Sequence, residues 1–241
     1  MTAPSCPDPT HCPVPDPTPA VVNSLTTATL AAGTVMWRVY EVKYGYDTYN
    51  PGFGNPGFGN SRFAPIANQA GQQTPTIYLG SDEIVALIET VFHDVHHTSS
   101  DRVIYESMLR NRGLVSLALP ESLTVIDLRN DQLERIGITR AQLVTTTAEH
   151  YGCTAAWAAD LHTTRTDTAG IVWDSRQAEL LDLAEPRQVC MLYGDRAPAP
   201  PGQFPLAGTG VINLLEGRGR SMIDLVANHL NATIATRDNE A

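Results

Sequence analysis

Residues 76–94, TIYLGSDEIVALIETVFHD, constrain the fold more than any other stretch. TIYLG is a short run of apolar, β-branched and aromatic residues and predicts a strand. After it the period changes. Ile84, Leu87, Ile88 and Val91 recur at helical spacing, which predicts an amphipathic helix with one buried face. Ser81 is placed to cap that helix, and Asp82 and Glu83 suit its positive N-terminal end. At about 100° per residue, Glu89 falls at the edge of the apolar face, beside Val85 and Phe92, half-buried near the helix middle. A carboxylate at the border of an apolar stripe calls for an explanation.

The remaining segments predict further strands and helices in no strict alternation. MWRVYEV (36–42), LVSLAL (114–119), LTVIDL (123–128), AGIVWDSR (169–176) and RQVCMLYGD (187–195) read as strands. NDQLERIG (130–137) reads as a short helix, residues 139–164 as mostly helical despite Gly152, and residues 220–234 as an amphipathic C-terminal helix. The class expected is therefore α+β rather than a doubly wound sheet. Residues 1–20 hold seven prolines and hardly a large apolar side chain. We expect residues 1–30 to form a flexible Pro-rich tail and residues 31–241 one domain. Within that domain PGFGN occurs twice in tandem, at 51–55 and 56–60. Proline blocks helix there, and glycine and asparagine tolerate positive φ, so this insertion is expected as a loop. It reads either as a surface loop lengthened by duplication or as a flap over a site, with Phe53 and Phe58 as its apolar contacts.

Several function classes can be set aside. The net charge is −10, so general binding to a phosphate backbone is disfavoured, although placed arginines can still hold a small anion. No run of about 18 apolar residues predicts a membrane span, and the N-terminus lacks the pattern of a signal peptide, so a cytoplasmic location is expected. No P-loop, GxSxG, HExxH or paired CxxC pattern occurs. The glycines of GFGNPGFGN lack the strand–turn–helix setting of a dinucleotide fingerprint. His93, His96 and His97 read as a polar helix end. Cys153 and Cys190 read as buried thiols. Cys6 and Cys12, with His11, suggest a zinc pair, but no second pair follows to complete four ligands, so no metal site is assigned.

A set of isolated polar residues remains, next to or within apolar segments: Arg38 in MWRVY, Arg62 in NSRFAP, Tyr78 in TIYLG, Glu89 on the helix and Ser175 at the end of IVWDS. Taken singly, each has an ordinary explanation as an ion pair, a ring in the core or a turn residue. Their succession is more specific: W-R-V-Y, then S-R-F-x-P, then the strand–helix unit with its glutamate, then D-S-R after an apolar strand. From about Trp37 to Arg196 the chain resembles the RES domain family, named for an arginine, a glutamate and a serine. SRFAP followed by TIYLGSDEIVALIETVFHD carries most of the resemblance, and GIVWDSRQ with QVCMLYGD the rest.

The resemblance implies an ADP-ribosyltransferase-like mixed sheet with flanking helices. It also implies degradation of NAD+, as substrate rather than cofactor, by a toxin that an Xre-type antitoxin protein neutralises; some members use inorganic phosphate and act as phosphorylases. The residue types suit that chemistry. Breaking the nicotinamide–ribose bond passes through an oxocarbenium-like state, as glycoside hydrolysis does. Nicotinamide leaves as a neutral base, so the main need is a carboxylate to stabilise the developing cation. Glu89 is the candidate, Arg38 and Arg62 suit the diphosphate, Tyr78 suits stacking on a ring, and Ser175 suits orientation of Glu89 or the ribose. Two alternatives stay open: transfer of ADP-ribose to a macromolecule, and a non-enzymatic binding domain. The C-terminal helix, through Ile223, Leu225, Val226 and Leu230, is expected either to pack on its own domain or to contact a neutralising partner.

Overall fold

The computed structural model describes residues 6–52, 61–67, 70–93, 95, 102–179, 181, 186–198 and 203–236. The chain opens with a short helix α1 (Pro19–Ser24), then β1 (Thr27–Leu30) and β2 (Val35–Glu41). It continues through the two-residue β3 (Ile66–Ala67) and β4 (Gln73–Thr74) to β5 (Thr76–Gly80) and α2 (Glu83–Ile88). Next come β6 (Val103–Tyr105), α3 (Glu106–Leu109), β7 (Arg112–Ala118) and β8 (Leu123–Asp127). Three helices follow, α4 (Asn130–Arg135), α5 (Arg140–Leu143) and α6 (Tyr151–Thr164). The chain closes with β9 (Gly170–Asp174), α7 (Arg176–Glu179), β10 (Gln188–Tyr193), α8 (Gly217–His229) and β11 (Thr233–Ala235).

Seven of these strands form one mixed sheet in the order β1-β8-β9-β10-β5-β2-β7. Only the β8–β9 pair within it is parallel, and its crossover carries α4, α5 and α6, as a parallel connection requires. The α+β expectation holds. The central strands are covered on both faces, which is why they read as continuous apolar runs instead of alternating ones. Along β10, Val189, Met191 and Tyr193 join a core with the helices, whereas Cys190 and Leu192 join a second core on the other face. Along β9, Ile171 and Trp173 belong to the first core and Val172 to the second.

One feature of the sheet makes room for a site. β2 pairs along its whole length with β7, but it meets β5 only at Trp37 and Gly80. Past that point the two strands part. At Gly80 the turn into α2 is so close that a Cβ would stand 2.7 Å from the backbone nitrogen of Ala86. A side chain there would push α2 off the end of β5.

The structure departs from the sequence expectations in four places. First, part of the segment expected as a flexible tail takes part in the fold. Val14, Val22 and Leu25 are buried in the first core, and β1 completes the sheet edge beside β8. Few apolar residues were needed, because each meets a preformed surface. Second, the helix after β5 is capped by Asp82, whose carboxylate accepts from the Val85 amide at 3.0 Å, while Ser81 Oγ accepts from Gln188 N at 3.1 Å. That helix stops at Ile88, so Glu89 is its C-cap and not a mid-helix residue. Val91 and Phe92 still turn inward, each 1% exposed, because burial outweighs helix continuation there. Third, residues 139–164 break into α5, a 3-10 turn and α6, the turn spanning Ala148–His150. Fourth, the C-terminal helix ends at His229, and Thr233–Ala235 form a strand parallel to β6.

Ile223 and Val226 of α8, and Leu230 at its C-cap, are buried against the protein's own core, leaving Leu225 half exposed. Residues 53–60 of the tandem PGFGN insertion, Phe53 and Phe58 among them, lie outside the described residues, as do His96 and His97. Among the described residues no helix is long and apolar enough to cross a membrane.

Candidate active site

Where β2 and β5 part, a cleft of about 250 Å³ opens. Trp37 to Glu41 of β2 line one wall and Thr76 and Tyr78 to Gly80 of β5 the other, with Glu89 and His93 from the end of α2 and beyond it. Arg38, Arg62, Tyr78 and Glu89 all line this one cavity. Ser175 sits behind it, 1% exposed, and reaches it through Glu89. The five residues singled out in the sequence are thus brought together.

Glu89 owes its place to the capped start and early end of α2. Val85, Leu87 and Ile88 anchor the helix in the first core and leave the C-cap carboxylate at the rim. Its partner is defined by the end of β9. The Ser175 hydroxyl accepts a hydrogen bond from the Ala178 amide at 3.0 Å, capping α7, and donates its proton to Glu89 Oε1. A hydroxyl has a single proton to give. With the backbone amide already donating to it, that proton is directed to the carboxylate, and one Glu89 oxygen is held in place.

Arg38 enters from the opposite wall. Its Nη1 donates to the Tyr46 carbonyl at 2.6 Å. Burial pushes its guanidinium down to about 10, against the opposing pull of Asp47, Tyr49 and Tyr40. It therefore remains a cation at neutral pH, in a setting that hydrates it poorly. Such a group gains from an anion brought to it.

Arg62 is more heavily committed than the sequence suggests. Its Nη1 donates to both the carbonyl and the Oγ1 of Thr146, each at 3.0 Å. Its guanidinium lies over the Tyr151 ring, 5.1 Å from the centroid. Thr154 of α6 donates to the Arg62 carbonyl. Burial lowers the Arg62 pKa, and Tyr151 and Glu89 oppose that shift. Tyr78 has a structural task as well. Its hydroxyl accepts from Ser61 Oγ at 2.9 Å and from the Phe63 amide at 3.1 Å, so it holds the turn that carries Arg62. Its ring stands edge-on to Trp173, centroids 5.8 Å apart. Burial raises its pKa, so it stays a neutral phenol.

Sequence reasoning missed several residues of the cleft. Arg112 lines it from the first position of β7, opposite Glu41 in the strand register, and burial lowers its pKa. His93, expected only as a polar helix end, lines it too; its Nε2 is 2.8 Å from the Tyr151 hydroxyl, and its carbonyl accepts from Gln177. No local pattern marks these residues, since their relation to the cleft arises from chain segments far apart in sequence.

Comparison with known families finds that the RES domain model matches residues 35–202. Comparison with curated proteins finds no similar one. Among solved structures, the chain is similar to one in the crystal structure of the M. tuberculosis MbcT-MbcA toxin-antitoxin complex, at 15% identity and a TM-score of 0.48. The match covers 87% of this chain and 96% of that one.

Proposed function

The chain belongs to the RES domain family, and from that premise we propose that it degrades NAD+ by breaking the nicotinamide–ribose bond. The observation that carries this reading is the cleft between β2 and β5, which joins a carboxylate oriented by a serine to a poorly hydrated arginine. The cleft is small for a whole dinucleotide. It suits the nicotinamide ribose, with the rest of the ligand extending along the opening.

In this reading the Glu89 carboxylate faces the anomeric carbon and stabilises the positive charge that grows on the ribose as nicotinamide departs. Its partial shielding from water strengthens that field. Ser175 keeps the carboxylate from swinging away. Arg38 directs its fork at the diphosphate and is neutralised by it, which offsets its cost in the free protein. Arg62, largely engaged by Thr146 and Tyr151, adds positive potential and shapes the wall. Tyr78 offers its ring to the base while its hydroxyl holds the Ser61–Phe63 turn. The acceptor is water or inorganic phosphate. The family resemblance extends the proposal to a toxin that an Xre-type antitoxin protein holds in check.

The test is incubation of purified protein with NAD+, with and without phosphate, and separation of the products. Nicotinamide with ADP-ribose means hydrolysis, and nicotinamide with ADP-ribose-1″-phosphate means phosphorolysis. Label from NAD+ on a protein would mean transfer instead. An intact dinucleotide under both conditions, with the fold verified, removes the proposal.

A further inference from the structure

Away from the cleft, four side chains converge where the N-terminal segment crosses the head of α6. They are Cys6, Cys12, His150 and Cys153, and their potential ligand atoms all lie within 4.8 Å of one another. We propose that these residues form a structural Cys3His zinc site that fastens the N-terminal segment to α6.

Two of the donor separations lie close to those that a tetrahedral zinc ion sets, and the four donors are near enough to close on one ion. Zinc–sulfur arms of about 2.3 Å and a zinc–nitrogen arm of about 2.0 Å in a tetrahedron place the donors roughly 3.5–3.8 Å apart. Cys12 Sγ lies 3.7 Å from Cys153 Sγ and 3.9 Å from His150 Nδ1. A disulfide needs a separation of about 2.05 Å, and all four cysteines are free thiols. The histidine is presented as a ligand should be: Nδ1 faces the thiols, while Nε2 lies 3.8 Å from the Glu149 carboxylate, a partner suited to orient the ring. Three sulfurs and an imidazole favour a borderline-soft cation with no geometric demand beyond a tetrahedron. Four protein ligands close the coordination sphere, so the site is structural and not catalytic.

The two halves differ in kind, which is why the sequence hides them. Cys6 and Cys12 come from the Pro-rich segment, and His150 and Cys153 are one helical turn apart at the start of α6. His11, the nearer candidate in sequence, faces Asp8 instead, with Nδ1 3.3 Å from its carboxylate. The segment needs such a fastening. Between residues 6 and 15 only Val14 is buried, in the core that α6 shares, and the Trp157 indole donates a hydrogen bond to the Pro15 carbonyl. The fastening also bears on the cleft, because the residue after His150 is Tyr151, which contacts both Arg62 and His93.

The test uses full-length, tag-free protein kept reduced. Elemental analysis should find one zinc per chain. Metal-free protein titrated with Co2+ should show thiolate-to-cobalt charge transfer and the intense d–d bands of a tetrahedral site, both reversed by Zn2+. Cys12→Ser and Cys153→Ser should each weaken Zn2+ binding about 100-fold or more, and His11→Ala should leave it unchanged. Reduced, folded wild-type protein without the tetrahedral cobalt spectrum would overturn the proposal, whether or not the serine variants fold. So would serine variants that bind Zn2+ as tightly as the wild type. Neither readout depends on NAD+ turnover, so this site and the proposed activity stand or fall separately.

Discussion

Replacing Arg38 by methionine sets binding against stability. The substitution keeps an unbranched side chain of similar length and removes the charge. Burial holds the Arg38 pKa down at about 10, which corresponds to roughly 3 kcal/mol against keeping the cation in place. Arg38 is only half-buried, so solvent screens part of that cost. The lost hydrogen bond to the Tyr46 carbonyl takes back about 1 kcal/mol. The net expectation for R38M is a gain of about 1 kcal/mol, or roughly 2–4 °C in Tm for a chain of this size. The sign with pH follows from linkage. A base whose folded pKa lies below its unfolded value carries its full penalty at lower pH and loses it only as pH rises through the folded pKa, here about 10. The stability gap between variant and wild type should therefore be constant from about pH 6 to pH 9. Over the same range the NAD+ affinity of the variant should lie roughly 10- to 100-fold below that of the wild type, the loss of the charge-assisted phosphate contact proposed for Arg38. Thermal unfolding followed by circular dichroism and calorimetric titration measure the two quantities. A fall in Tm of several degrees would refute the reasoning, because Arg38 would then be an ion-pair partner that the fold depends on, with Asp47 the group left exposed to its loss.

Three other substitutions separate the remaining roles. Glu89→Gln should cut NAD+ turnover on the order of 10³-fold while changing NAD+ affinity less than about 3-fold, as single-turnover and binding measurements would show. Ser175→Ala should lower turnover by up to about 100-fold by freeing the carboxylate. It should also cost about 1 kcal/mol in chemical denaturation, since the cap of α7 is lost. Tyr78→Phe should destabilise the protein by about 1–3 kcal/mol, because the Phe63 amide loses its acceptor; unchanged stability would mean that the hydroxyl does not hold the Arg62 turn.

The central strands were legible in the sequence because both faces of β9 and β10 are buried, so that continuous apolar runs such as IVW and VCML have few other uses. The start of α2 was legible from its polar cap, although Asp82 and not Ser81 fills it. Its end was not, since the inward turn of Val91 and Phe92 is decided by the core they reach. The fastening of residues 14–30 escaped notice for a related reason: Val14, Val22 and Leu25 are too few to signal structure until a surface is there to receive them.

Sequence alone singled out five of the groups gathered at the cleft, in an order that marks the family: a carboxylate following a strand–helix turn, two arginines, a tyrosine and a serine at a strand end; it did not mark Arg112 or His93. Tertiary structure decided what each group does to the others. Only the parting of β2 from β5 makes a cavity between Arg38 and Glu89. Only the meeting of α7 with α2 gives the Ser175 proton its direction, and only the docking of the N-terminal segment brings Cys12 to Cys153 across 141 residues. Local periodicity encodes which face of an element is buried. Distances between elements depend on how whole layers pack, and no short window of sequence contains that information.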